Sequence, residues 1–220
     1  MKYKVLVNAS TLVIGGGVQV GVSFLEFLFD NRPEDFQFIF AISDSIHNNL
    51  PDKHKDKTSI HIINKSPAAI ISGNSSRKKL KELEKDFKPD LVYSIGFPSY
   101  LRFQNTEVGR YTNPWEIFKA EEARKLLTKT QRVILWLKTR YRLFWARDIG
   151  FYETQTETAK LAIASTLNVS IDRIKVITNS INQIFMDQTE ESKHVIDTRT
   201  KIFCLAAPYP HKNLEIIPKV

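Results

Sequence analysis

The stretch VNASTLVIGGGVQVGVSFLEFLF, residues 7–29, joins an apolar run to a helix-like pattern through three consecutive glycines. Its first residues belong to a β-branched run that predicts a strand over residues 3–9. Its second half has apolar residues at helical spacing and predicts a helix over residues 18–31. A glycine-rich turn between a strand and a helix often lies against phosphate, because the backbone can approach a ligand closely there.

Strand and helix signals continue to alternate after this stretch. Strands are predicted at residues 36–43, 58–63, 90–95, 108–113, 150–155 and 172–181, and helices at residues 74–90, 124–147 and 156–169. The helix that begins near residue 74 has a serine cap and ends at Lys88, before Pro89. The alternation predicts an α/β fold with a Rossmann-like, mostly parallel sheet flanked by helices.

The composition is that of an ordinary globular protein of 220 residues, long enough for one or two domains. One cysteine, Cys204, lies in an apolar run, and the five histidines lie far apart, so neither a disulfide framework nor a metal site is expected. The N-terminus does not resemble a secretion signal, and no apolar run approaches the roughly 18 residues of a membrane span. These features predict a cytoplasmic protein.

The net charge of +8 is concentrated in residues 124–147, which contain eight Lys or Arg and no acidic residue. On a helix, one face of this segment is apolar and is most simply core; it comprises Val133, Ile134, Leu137, Tyr141 and Phe144. A second stripe mixes cations with Trp and Leu; it comprises Lys129, Arg132, Trp136, Arg140, Leu143 and Arg147.

Two interpretations of the second stripe stay open. Aromatic residues interleaved with cations suit an anionic membrane surface, which would place the protein peripherally on the inner face of a membrane. Alternatively, Trp136 and Leu143 pack under a neighbouring element while the arginines extend to solvent. Nucleic acid is not expected as a partner, because no recognised binding motif accompanies the charge.

The glycine loop also allows two nucleotide interpretations. Gly15, Gly16 and Gly17 can lie near a diphosphate at the N-terminus of the following helix. Gly15, Gly17 and Gly21 loosely match a dinucleotide fingerprint, with Asp44 as a ribose-binding acid after the second strand. The intervening STLVI makes the loop too long for the tight first turn of an NAD site. A loop without any ligand is the third alternative.

Later motifs carry a resemblance to a known family. The segment YETQTETAKLAIASTLNVSIDRIKVITNSINQIF (152–185) resembles the end of the N-terminal domain of family-4 retaining glycosyltransferases of the GT-B fold. Thr156 and Glu157 match that family's Ser-Glu pair, and the NSIN turn with Phe185 matches its Asn-Gly-Ile/Val-Asp turn. KPDLVYSIGFPSYL and the glycine loop are similar to its earlier motifs, and AAPYPHKNLEII (206–217) to the start of its second domain.

The resemblance implies transfer of a sugar from a nucleotide-sugar to a glycan or lipid-linked acceptor, with retention of configuration and no further cofactor. Gly15, Gly16, Gly17 and Lys212 would then lie beside the donor diphosphate, whose developing charge needs cations or N–H donors. Gln19 and Glu157 would lie on the acceptor side of the cleft.

The sequence departs from the family in two places. Relatives often place a His-Asp pair after the fifth strand, where this chain has Asn113, and an asparagine cannot act as a general base. The predicted domains are residues 1–185, on the acceptor side, and residues 186–220, a linker with the start of a donor-binding domain. We therefore expect the 220 residues to be inactive unless a longer or separate chain completes that domain. A non-catalytic scaffold derived from a transferase, binding a membrane or partner, is the alternative.

Overall fold

The opening stretch folds as predicted, into strand β1 (Tyr3–Ala9) followed by helix α1 (Gly16–Asp30). The structure is a computed structural model and describes residues 2–118, 125 and 127–178. The other strands of this part are β2 (Phe36–Ser43), β3 (Ile60–Ile63), β4 (Leu91–Ser94), β5 (Glu107–Arg110), β6 (Phe151–Thr154) and β7 (Ile174–Val176). Its other helices are α2 (Asp44–Asn49), α3 (Asp52–Lys55), α4 (Asn74–Phe87), α5 (Pro114–Ile117), α6 (Lys129–Ala146) and α7 (Glu157–Leu167).

The seven strands form one sheet in the order β3-β2-β1-β4-β5-β6-β7. Every neighbouring pair is parallel, and the register places Val5 of β1 between Phe38 of β2 and Leu91 of β4. The predicted α/β fold with a parallel sheet and flanking helices is therefore confirmed. The first six strands follow the order of Rossmann-type sheets, in which the direction of winding reverses between β1 and β4.

Side chains alternate between the two faces of the sheet, and each face is covered by helices. Val5 and Val7 pack with Val22 and Leu25 of α1 in one buried cluster. Leu6 points to the opposite face and packs in a second cluster, which also contains Val92, Ile63, Leu101 and Leu80 of α4. A third cluster lies under α7; it includes Tyr111, Tyr152, Ile163 and Ile174.

Some local predictions were wrong. The short helices α2, α3 and α5 were not predicted, because four to six residues are too few for a helical period to show. Helix α4 does end before Lys88, but its N-cap is Gly73 and no side chain caps it. Ser76 instead donates a hydrogen bond from its hydroxyl to the carbonyl of Lys65, at 2.6 Å.

The chain divides into two compact units. The first consists of Met1–Phe118 with Lys138–Asn179 and contains the whole sheet; the second consists of Lys119–Leu137 with Ser180–Val220. The domain boundary predicted at residue 186, the NSIN turn, Phe185, and the segment 206–217 with Lys212 lie outside the described residues. They stay predictions.

Candidate functional site

The candidate site lies at the carboxyl edge of the sheet, where β1 and β4 end side by side. In open α/β sheets this reversal point forms a crevice, because the helices that follow the two strands cover opposite faces. The loop between β1 and α1, residues 10–15, and the residues that follow β4 both lie at this reversal point. The two loops touch, since the Thr11 hydroxyl donates a hydrogen bond to the carbonyl of Gly96 at 2.6 Å.

Helix α2 holds the glycine loop from the other side. The Ser43 hydroxyl donates to the carbonyl of Leu12 at 2.5 Å, and the Ser45 hydroxyl donates to the carbonyl of Val13 at 2.8 Å. Ser43 also accepts the backbone N–H of Ile46 and so caps α2. Because both serines bind loop carbonyls, the loop is fixed in place.

The glycines at the end of the loop and in α1 differ in what surrounds them. Gly15 has φ 67° and ψ −155°, a conformation that a residue with a side chain rarely adopts. A Cβ on Gly16 would meet nothing within 4 Å, so this position is open, whereas a Cβ on Gly17 would lie 3.1 Å from the Leu12 side chain. A Cβ on Gly21 would lie 2.7 Å from Ile46 Cδ1, so Gly21 allows α1 and α2 to pack closely.

The N-terminus of α1, at Gly15, has neither a side-chain cap nor an acidic residue in its first turn to balance its partial positive charge. The first N–H groups of a helix carry a partial positive charge and attract anions when no cap satisfies them. The position of these groups beside open Gly16 suits an anionic ligand in the crevice.

A buried chain of hydrogen bonds runs beneath the two loops. Asn8 Oδ1 accepts from the hydroxyl of Ser10 at 2.7 Å, Asn8 Nδ2 donates to Ser94 Oγ at 3.3 Å, and Ser94 Oγ donates to Glu107 Oε1 at 2.6 Å. Burial raises the pKa of Glu107 to about 7, although hydrogen bonds from Ser94 and Ser99 oppose the shift. The chain links β1, β4 and β5 directly below the crevice.

Asn113 follows β5, and both ends of its amide are engaged. Its Oδ1 accepts the backbone N–H of Trp115 at 3.1 Å, and its Nδ2 donates to Glu116 Oε1 at 2.7 Å. The buried Glu116 carboxylate also accepts the Tyr111 hydroxyl and pairs with Arg142 Nε at 2.7 Å. Burial raises the pKa of Glu116, and Arg142 opposes that rise.

Sequence reasoning missed Glu116, the charged centre of this group. The pattern Asn113-Pro114-Trp115-Glu116 is an N-cap residue followed three positions later by glutamate, which is a known sequence signature of a helix start. That signature would have indicated α5 and drawn attention to Glu116. No sequence signal indicated Arg142, which comes from α6 and meets Glu116 only in the fold.

The other predicted site residues of the sheet unit are exposed. Gln19 lies in the second turn of α1. Glu157 is the first residue of α7, next to the N-cap Thr156, with its carboxylate 3.9 Å from Lys160 Nζ. Asp44 is the exposed first residue of α2, after β2. The topology thus places the glycine loop, Asn113 and Glu157 at the same edge of the sheet, while Gln19 lies further along α1.

The face of α6 that was expected to be core differs from its prediction. Four residues of the face expected to be core are exposed: Val133, Ile134, Leu137 and Phe144. In the stripe predicted to face a membrane, Trp136 is 60% exposed, and Lys129, Arg132, Arg140 and Arg147 are exposed. Leu143 is half-buried and packs against the cluster under α7, so it does not contribute an outward contact.

Arg102 holds the end of α6. Its guanidinium donates to the carbonyls of Phe144 at 2.7 Å and Trp145 at 2.8 Å, and also to that of Arg147. A cation at this position complements the negative end of the helix dipole. None of the described helices is long and apolar enough to cross a membrane. Across the described ranges, no three His, Cys, Asp or Glu residues lie together as metal ligands would.

Comparison with known proteins gives matches among solved structures alone, since no family model and no curated protein matches the chain. A glycosyltransferase from Rickettsia africae is similar over 87% of this chain and 47% of its own, with 13% identity and a TM-score of 0.48. The lipopolysaccharide outer core galactosyltransferase WaaB is similar over 82% of this chain and 46% of its own, with 14% identity and a TM-score of 0.43. The chain spans about half the length of these proteins. Because both TM-scores lie below 0.5, we base no functional conclusion on them.

Proposed function

We propose that this chain is the acceptor-side half of a retaining glycosyltransferase that uses a nucleotide-sugar donor. The observation that carries the proposal is the uncapped N-terminus of α1 at the reversal point of the sheet, with Gly16 open in front of it. A nucleoside diphosphate is the leaving group of such a transfer, and N–H donors stabilise the charge that develops on it. The resemblance of the ordered sequence motifs supports the same class.

The fixed glycine loop supports this proposal over a dinucleotide site. Six residues separate β1 from α1, whereas a dinucleotide turn begins directly after the strand. Gly21, the third glycine of the NAD interpretation, has a packing role against Ile46. An NAD-linked enzyme therefore stays the weaker alternative, and a calorimetric titration with NAD tests it: tight binding would favour that class.

The experiment for the main proposal is a titration of the ¹⁵N-labelled chain with UDP and GDP, followed by the amide signals of Gly15, Gly16 and Gly17. We expect shifts at these amides, because the free N–H groups of α1 contact the diphosphate. Gly16→Val should remove the shifts by filling the open position, while Phe27→Ser, further along α1, should leave them unchanged. Unchanged glycine amides at saturating nucleotide would contradict the proposal.

Transfer itself is tested by incubating the chain with nucleotide-sugars and membrane-derived acceptors. We propose that the 220 residues alone form no product, and that adding a donor-binding domain, in the same or a separate chain, restores transfer. Lys212→Ala in that complete system should weaken donor binding, because it would remove a cation from the diphosphate. The anomeric configuration of the product, read by NMR, tests retention.

A second candidate role, not exclusive of the first, is attachment to an anionic membrane through α6. The exposed Trp136 and Phe144 lie on a helix with many cations and no acidic residue. Such a helix lies at the headgroup boundary of an acidic bilayer. Sedimentation with phosphatidylglycerol vesicles at low salt tests this: Trp136→Ser with Lys129→Gln should reduce binding. A wild-type chain that does not sediment would exclude the membrane role.

A further inference from the structure

The loop that follows β3 presents two isoleucines to solvent. Ile70 is 71% exposed and Ile71 is 84% exposed. They lie between the end of β3 at Ile63 and the start of α4 at Asn74, at the carboxyl edge of the sheet. Two adjacent, largely exposed isoleucines leave an apolar patch in water, and such patches commonly mark contact surfaces.

Hydrogen bonds to its backbone carbonyls hold this loop in place. Arg77 donates from its guanidinium to the carbonyls of Ala69 at 3.0 Å and Ile70 at 2.7 Å, and also to that of Pro67. The backbone N–H of Gly73 donates to the carbonyl of Ala69 at 3.1 Å. A Cβ on Gly73 would lie 2.8 Å from the carbonyl oxygen of Ser66, so the turn depends on glycine. The fold therefore fixes the two isoleucines in an outward position.

Cations continue this patch along α4. Lys78, Lys81 and Lys85 lie at helical spacing on one exposed face, and within the described part of the chain no carboxylate pairs with Lys81 or Lys85. Lys78 is only 3.8 Å from Glu82 in a pair that is exposed at both ends. This face borders a groove of about 630 Å³ whose far wall is Leu101, Arg102 and Trp145. Five cationic residues and one acidic residue line the groove.

The isoleucine patch and the groove form one surface, because Arg77 and Asn74 belong to both. Arg77 lines the groove while it binds the carbonyl of Ile70, and the N–H of Asn74 binds the carbonyl of Ile71 at 3.2 Å. The groove also reaches the C-terminal end of α6, through Trp145. We name this surface, Ile70 and Ile71 together with the α4 lysines, the α4 surface.

We propose that the α4 surface docks on an acidic phospholipid bilayer, with Ile70 and Ile71 inserted among the lipids and the lysines of α4 at the headgroups. This inference rests on the membrane role proposed above and assigns a contact with the bilayer to the sheet unit. A bilayer supplies both an apolar phase and anions within the short depth that an interfacial element reaches. A soluble polyanion supplies charge alone and would leave the isoleucines in water.

Vesicle sedimentation of the full chain tests the proposal, using phosphatidylcholine with and without phosphatidylglycerol. Ile70→Ser with Ile71→Ser should weaken binding to acidic vesicles at least about tenfold, because the inserted apolar area is lost. Lys81→Gln with Lys85→Gln should weaken it about fivefold per lysine. The matched controls Phe27→Ser, an exposed aromatic on α1, and Lys175→Gln, an exposed lysine on β7, should bind as the wild type does.

A direct test of insertion replaces Ile71 by tryptophan. Brominated phosphatidylcholine in acidic vesicles should quench the Ile71→Trp chain more than the wild type, since the new indole enters the acyl region. Quenching equal to that of the wild type would show that the loop stays outside the bilayer and would overturn the proposal. Circular dichroism of each variant confirms that its fold is kept.

The outcomes separate this inference from the roles proposed above. If the α6 variants lose vesicle binding while the α4 variants keep it, the α4 inference is overturned and the membrane role of α6 stands. If the wild type binds no vesicle, both membrane proposals fall, while the nucleotide titration still decides the transferase proposal. If polyphosphate displaces the vesicles and the isoleucine variants bind as the wild type does, a soluble polyanion is the partner and the inference is wrong.

Discussion

The buried carboxyl group of Glu107 should make the stability of the sheet depend on pH. Glu107 is 3% exposed, and burial raises its pKa from 4.5 to about 7. In the unfolded chain its pKa returns to the usual value, so the folded state binds more protons between these two values. The free energy of unfolding therefore falls as pH rises from about 4.5 to about 7 and is constant above. The difference of about 2.5 units corresponds to about 3 kcal/mol.

Glu107→Gln should remove this dependence. Glutamine has the shape of the protonated acid and keeps an oxygen that can accept the Ser94 hydroxyl. Urea unfolding of both proteins from pH 5 to pH 8 gives the difference in free energy of unfolding at each pH, in which other titrating groups cancel. We expect that difference to shift by about 2.5 kcal/mol in favour of the variant between pH 5 and pH 8, because part of the full effect is already present at pH 5.

Phe27→Ser, at an exposed residue of α1 that carries no titratable group, is the control and should give a difference that does not vary with pH. A Glu107→Gln difference that is equally flat would refute the reasoning. It would mean that Glu107 is ionised in the folded chain throughout this range and that burial does not govern its pKa.

Three further predictions concern the glycines at the start of α1, Arg102 at the end of α6, and the Glu116–Arg142 ion pair. Gly15→Ala should lower the free energy of unfolding by about 1–3 kcal/mol, because Gly15 has a positive φ. Gly16→Ala places its Cβ in open space and should change that free energy by less than about 1 kcal/mol. Equal effects of the two variants in urea unfolding would contradict this reasoning. Arg102→Gln should cost about 1.5–3 kcal/mol by leaving the carbonyls at the end of α6 without a cationic donor, and unchanged thermal unfolding would exclude that role. A double-mutant cycle of Glu116→Gln with Arg142→Gln should give a coupling of about 1–3 kcal/mol, since the carboxylate is buried; a coupling near zero would show that the two side chains act independently.

The fold could be predicted because its pattern repeats along the chain. Strands β1 and β2 have the predicted bounds, since each is rich in apolar residues and most of its residues are buried in a parallel sheet. The helices α1, α4 and α7 are long enough to show a period and have turn residues at their ends. Thr156 caps α7 by accepting the N–H of Ala159, as its position before an apolar helix indicates.

The site could be predicted only in part, because its contacts join residues that are distant in sequence. The glycine loop was found from its composition, but the hydroxyls of Ser43 and Ser45 that fix it come from the end of β2 and the start of α2. Glu116 meets Arg142 across the segment between α5 and α6, and no local pattern indicates that pair. The exposure of α6 was missed since amphipathic spacing shows which residues share a face, not whether another element covers it.

The way in which Arg102 holds α6 affects how this chain can change in evolution. Its guanidinium binds main-chain carbonyls of Phe144, Trp145 and Arg147, which any residue would provide. These hydrogen bonds therefore do not depend on the identity of the side chains in the last turn, provided that Arg102 is kept. The exposed side chain of Phe144 can therefore change while the buried Ala146 and the half-buried Leu143 keep the turn packed on the sheet unit.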